Sequence, residues 1–185
     1  SSDNQIKQIK VKEGTELTIN CTKSGGSKIT IDSTFEIEPG AKVKVRGNDT
    51  LKFELSKGAK AIIKGSFETE SEDGIKKPKV RFTGEGEVHF EGDVKCGANS
   101  RMEFSHSSDK HIHFDGREQT VDGDGEIEFD EHCHVHFGDG TAPATVNINK
   151  PLKCRGKYKL EDSVEIVSNA PTSNSESDWN AWEPT

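Results

Sequence analysis

The sequence predicts an all-β chain wound as a single-domain β-solenoid, and three observations carry that expectation. From about residue 29 to residue 166, apolar side chains recur in pairs two positions apart, which puts both members on one face of a short strand. The next pair begins about six to ten residues later, too soon for a helix to intervene. A glycine or a polar turn closes nearly every pair.

Taken in order, Ile29/Ile31, Phe35/Ile37, Val43/Val45, Leu51/Phe53 and Ala61/Ile63 open the series. Val80/Phe82, Val88/Phe90, Val94/Cys96, Met102/Phe104 and Ile112/Phe114 continue it, followed by Ile127/Phe129 and Val135/Phe137. Val146/Ile148, Leu152/Cys154, Tyr158/Leu160 and Val164/Ile166 complete it. Residues 68–79 and 116–125, where acids, lysines and glycines replace the pairs, read as insertions that bulge from the coil.

The clearest internal echo sets Gly40-Ala41-Lys42 against Gly58-Ala59-Lys60, offset by eighteen residues (58 minus 40). It suggests a rung of about 18–22 residues made of two or three strands, wound as a right-handed parallel β-helix. An antiparallel β-sandwich is the rival architecture. It would use fewer, longer strands and a richer apolar content.

Three segments follow. Residues 1–26 hold Ile6, Ile9, Val11, Leu17, Ile19 and Cys21 before Gly25-Gly26, and are expected to form an N-terminal cap or irregular first rung. Residues 27–167 are the solenoid. Residues 168–185 are a polar linker and an acidic tail carrying both tryptophans, Trp179 and Trp182. Large aromatics are costly to leave in water, so the tail is expected either to dock on the last rung or to insert into a partner.

Composition narrows the function classes. Hydrophobic residues make up 29% of the 185, aromatics 6% and charged residues 31%. Such a chain fills a thin core but not a thick two-layer one. No stretch approaches the roughly twenty apolar residues of a membrane span, and no secretory leader is read. The net charge of −8, with no basic groove interleaved with aromatics, argues against nucleic acid as a partner.

Charge is uneven. Residues 7–64 carry twelve Lys/Arg against seven Asp/Glu, and residues 100–140 carry three against eleven. This gradient suits head-to-tail stacking of copies, and a solvated charged face is the plainer explanation. Cys21, Cys96, Cys133 and Cys154 all share parity with inward residues and read as small buried thiols. Unpaired thiols argue for a reducing compartment, whereas the fold style favours a secreted, cell-surface or virion-associated protein.

The residues with chemical potential are histidines. Six of seven lie between His106 and His136. His111 and His113 share one outward strand face, as do His132, His134 and His136, and His89 points outward between Val88 and Phe90. Imidazoles at i and i+2 lie roughly 6.5–7 Å apart, and stacked rungs bring others alongside. His111, His113, His132, His134 and His136 are therefore candidate ligands for a divalent transition metal such as Zn, Ni, Cu or Fe. A solvated strand face that happens to use histidine is the alternative. Motifs of hydrolases and nucleotide-binding enzymes are missing, and the many paired acids are what an acidic chain gives by chance.

The Pro39-Gly40-Ala41-Lys42-Val43 corner and the glycine-closed strands over residues 27–166 resemble the β-solenoid modules of bacterial surface adhesins and phage tail proteins. The bactofilins share the short-strand style, and pectate-lyase-type enzymes use the same fold, so fold alone decides no function. The resemblance implies a non-catalytic structural or attachment module that binds a protein or surface glycan through exposed β-faces and the tail, as a homo-oligomer. A self-polymerising scaffold, and a metal-binding or carbohydrate-active β-helix using the histidine strands, are the alternatives.

Overall fold

The computed structural model describes residues 2–22, 24–75, 77–105, 110–150, 152–168 and 180–181. Among them the chain is all-β, with parallel strands stacked into a β-solenoid of about 6 turns. No helix among them is long and apolar enough to cross a membrane. Every strand pairing is parallel, which excludes the antiparallel sandwich.

Each full turn contributes one strand to each of three faces. The first face stacks β5 (Thr50–Leu55), β8 (Lys79–Gly84), β11 (Arg101–Phe104), β14 (Glu126–Phe129) and β17 (Leu152–Cys154). The second stacks β6 (Lys60–Ile63), β9 (Glu87–Phe90), β12 (Lys110–Phe114), β15 (Cys133–Phe137) and β18 (Lys157–Leu160). On the third lie β2 (Glu16–Cys21), β4 (Lys42–Gly47), β7 (Ser66–Ser71), β10 (Val94–Cys96), β13 (Glu118–Asp122), β16 (Ala144–Ile148) and β19 (Val164–Ser168). One long strand, β3 (Ser27–Ile37), runs round the corner between the first two faces: residues 27–31 pair with β5 and residues 34–37 with β6. On its other edge β3 pairs with β1 (Ser2–Val11), and β2 pairs with β4, so residues 2–21 form a coil of the same stack.

Alternation builds the core. Each strand turns every second residue inward, and stacking repeats that residue on the next turn. All nine phenylalanines are buried at 0–2% exposure, so the core is dominated by rings. Phe53, Phe82, Phe104 and Phe129 stack along the first face with centroid separations of 5.3, 5.2 and 4.7 Å. Phe90, Phe114 and Phe137 do the same along the second, each step 5.5 Å. The two columns meet edge-on, as between Phe90 and Phe104. Offset stacking and edge contacts are the favoured aromatic geometries, so these rings pack as well as bury.

The turn is longer than the Gly-Ala-Lys echo suggested. Hydrogen-bonded residues on successive turns stand 22 positions apart at Arg81/Glu103 and 27 apart where the Thr120 backbone N–H donates to Asp93. Lys42 opens β4 on the third face while Lys60 opens β6 on the second, so the echo compares two different corners. The predicted insertions shrink as well. Residues 66–71 form β7, and residues 118–122 form β13 inside the stretch read as a bulge.

Tight corners need glycine where turns nearly touch. Gly123 has φ of 101°, and a Cβ there would stand 2.0 Å from the Cys96 carbonyl oxygen of the turn before. Only glycine meets both demands. Outward, opposite charges alternate between turns: Lys42 reaches Glu68 at 3.0 Å, Arg46 reaches Glu70 at 3.0 Å, and Glu103 gathers Lys79, Arg81 and Arg101 at 2.8–3.1 Å. All four cysteines are buried free thiols. At the far end, β20 (Asn180–Ala181) pairs with β18 on the second face. Trp179 and Trp182 themselves lie outside the described residues.

Candidate functional site

The second face carries the histidines because its strands place them in register. His113 of β12 pairs with His89 of β9 on one side and His136 of β15 on the other. His111 pairs with His134 in the neighbouring outward column. Inward neighbours Val88, Ile112, Val135, Phe90, Phe114 and Phe137 anchor each strand, so the ring spacing follows from the rise between turns.

The result is a ladder of imidazoles. His89 and His113 stack with centroids 4.2 Å apart and planes 3° from parallel, and His113 and His136 stack at 4.2 Å and 9°. His111 lies 4.9 Å from His136 and 5.1 Å from His134. His111 Nδ1 and His136 Nε2 are hydrogen-bonded at 2.6 Å.

Carboxylates hold the outer rungs. His89 Nδ1 stands 2.9 Å from Asp115 Oδ2, and His89 Nε2 stands 3.1 Å from Glu87 Oε2. His136 Nδ1 meets Glu161 Oε1 at 2.8 Å. In each pair an acid fixes one ring nitrogen and with it the tautomer and orientation of the ring. Asp115 Oδ1 is buried and, among the described residues, has no hydrogen-bond partner.

The rungs differ electrostatically. Burial pushes the His89 imidazole toward the neutral form, but its hydrogen bonds to Asp115 and Glu87 outweigh that and hold its pKa above the ordinary value. No carboxylate is hydrogen-bonded to His113 among the described residues, although Glu87 lies within 4.8 Å of it. Burial, and then the positive charge of His89, His136 and His111, push its pKa down to about 3, so it is neutral at physiological pH. Among the described residues its ring makes no hydrogen bond, leaving a nitrogen lone pair for another partner.

Of the histidines picked from the sequence, four share this face: His111, His113, His134 and His136. His132 sits in the turn before β15, 42% exposed and 3.6 Å from Glu131. His106 lies outside the described residues. The one group of three metal-competent side chains found among the described residues is Glu87, His89 and His113, whose ligand atoms all lie within 4.8 Å of one another. The sequence-based set lacked Glu87 and His89. His89 has no His-x-His neighbour, and its closeness to His113 arises only when β9 and β12 stack.

No protein-family model matches the chain, and comparison with curated proteins and with solved structures finds no match. The strand pairing shows a β-solenoid, and none of these comparisons supports a resemblance to adhesins or phage tail proteins.

Proposed function

We propose that this chain is a non-catalytic structural module, a stiff β-helix that carries fixed outer faces and serves attachment within a surface or phage-like assembly. The observation that supports this most directly is the interior. All nine phenylalanines fill it, seven of them in two continuous columns, so recognition falls to the outside. Parallel strands bonded to both neighbours hold outward side chains at repeating intervals of about 4.8 Å along each face. A repeating, stiff face suits binding to an extended or repeated partner, such as a surface protein or glycan.

The test combines light scattering during size-exclusion chromatography with binding of immobilised chain to an array of surface glycans. The reading expects a discrete species whose mass is independent of concentration. It also expects retention of a ligand that is lost when the outward residues Lys42, Lys44 and Arg46 are changed to Ala in a chain with unchanged circular dichroism. Growth without limit as concentration rises would replace it with the self-polymerising scaffold. Turnover of a bound oligosaccharide would overturn the non-catalytic assignment.

A further inference from the structure

We infer that Glu87, His89 and His113 bind one divalent transition-metal ion of the zinc class, and that the ion clamps the β9 turn to the β12 turn. The inference is independent of the attachment role.

The donor set comes first. Two imidazoles and one carboxylate form a borderline-soft N/N/O set of the kind that holds zinc with a fourth position open. Glu87 and His89 come from β9, and His113 from the next turn, in register with His89. Their ligand atoms lie within 4.8 Å of one another. Tetrahedral zinc, with bonds of about 2.0–2.2 Å, needs donors roughly 3.4 Å apart. Glu87 Oε2 and His89 Nε2 are already 3.1 Å apart, joined by a hydrogen bond whose proton the ion replaces. The remaining closure falls to the Glu87 side chain, which is 43% exposed, and to a tilt of the His113 ring that turns its in-plane lone pair toward His89 Nε2.

The support around these donors fits a metal as well. Asp115 accepts from His89 Nδ1, which leaves Nε2 as the ligand nitrogen and makes the ring more basic. Its second oxygen, buried without a donor, gains from positive charge placed on the His89 ring. His113 contributes a ring that makes no hydrogen bond among the described residues, so its nitrogen lone pair is open to an ion. Parallel stacking of His89 on His113 at 4.2 Å brings the two rings to the same height on the face.

Other parts of the ladder serve less well. His136 Nε2 is occupied by His111 Nδ1, and His136 Nδ1 by Glu161. His132 lies off the face in its turn.

The test is titration of the metal-free chain with zinc chloride, followed by isothermal calorimetry and by the thermal midpoint. Cobalt(II) serves as a spectroscopic probe. The expected result is one zinc per chain, a raised thermal midpoint, and visible cobalt absorption of the intensity of a four-coordinate site. Glu87→Gln and His113→Asn should each weaken zinc binding at least tenfold and remove the thermal shift. Asp115→Asn should weaken binding by about 10–100-fold, as loss of an orienting carboxylate does. His132→Ala should leave binding unchanged. Glu87 is partly exposed, so Glu87→Gln tests the site even if His113→Asn fails to fold. Absence of stoichiometric binding would overturn the site, as would binding indifferent to Glu87→Gln and lost in His132→Ala. Neither outcome bears on the attachment reading, which rests on glycan retention and particle size.

Discussion

Replacing Phe104 by alanine probes the centre of the stack. The Phe104 ring is 1% exposed and lies 5.2 Å from Phe82 at 5° and 4.7 Å from Phe129 at 16°, with Phe90 edge-on at 5.9 Å. It therefore touches the turns on both sides and the facing column. A Phe→Ala change in a core costs about 3–5 kcal/mol through lost transfer energy and the cavity left behind. The upper end applies here, because hydrogen-bonded strands on both sides keep the cavity from collapsing. Against a total stability of about 5–15 kcal/mol, that loss is a large fraction. For a chain of this size, it corresponds to a fall in Tm of roughly 6–20 °C.

Phe104→Leu keeps most of the volume but loses three ring contacts worth about 0.5–1.5 kcal/mol each, so it should fall between alanine and wild type. Urea denaturation followed by circular dichroism gives the values, provided the slope with denaturant is unchanged. Ile75→Ala is the control: Ile75 is 83% exposed, and its replacement should shift stability by less than about 0.5 kcal/mol. A loss below about 1 kcal/mol for Phe104→Ala, or one equal to that of Ile75→Ala, would refute the continuous ring column.

Two further outcomes follow from the outer ladder and the thiols. Glu103 is buried enough to raise its pKa, but hydrogen bonds from Arg81 and Lys79 outweigh this and hold it below the ordinary carboxylate value. A carboxyl lowered on folding stabilises the fold above its unfolded pKa, and that contribution is lost as pH falls through the folded value. Glu103→Gln should therefore cost about 1.5–3 kcal/mol at pH 7 and less at pH 3, measured by urea midpoints at both. Burial pushes the Cys154 thiol up to about 11 and Cys133 higher still, with Asp130 adding to the effect. Both should react with a disulfide reagent at pH 7.5 at least about 100-fold more slowly in the folded chain than in urea, as read by thiol release.

Much of this architecture is legible in the sequence because one physical rule repeats. An apolar pair two residues apart, followed by a glycine corner, is enough to recognise strands such as Val80/Phe82 and Ile112/Phe114. The rule fails where the inward residue is polar but satisfied. Gln119 is fully buried on β13, and its side-chain amide donates to the Phe90 and Gly92 carbonyls at 2.8 and 2.9 Å. Thr69 of β7 shares a 2.9 Å hydrogen bond with Ser100. Both strands look like loops to a reading that counts apolar residues. The period is not legible from the echo because Gly-Ala-Lys recurs at corners that do not stack. The histidine ladder was half visible: His-x-His marks β12 and β15, but Glu87 and His89 join it only through the turn-to-turn register. Local sequence does not encode that register.

The turn-to-turn register underlies both the coil and the histidine ladder, and an engineered cross-link measures it directly. Lys44 of β4 stands opposite Glu68 of β7 on the third face. Neighbouring strands are about 4.8 Å apart, within the roughly 4.4–6.8 Å that a disulfide spans between Cα atoms. Oxidation of a Lys44→Cys/Glu68→Cys chain should close an intramolecular disulfide. Lys60 opens β6 on a different face, so a Lys44→Cys/Lys60→Cys chain should not, although its cysteines are nearer in sequence. Closure of the second pair and not the first would contradict the three-faced coil, and with it the histidine ladder and the metal clamp.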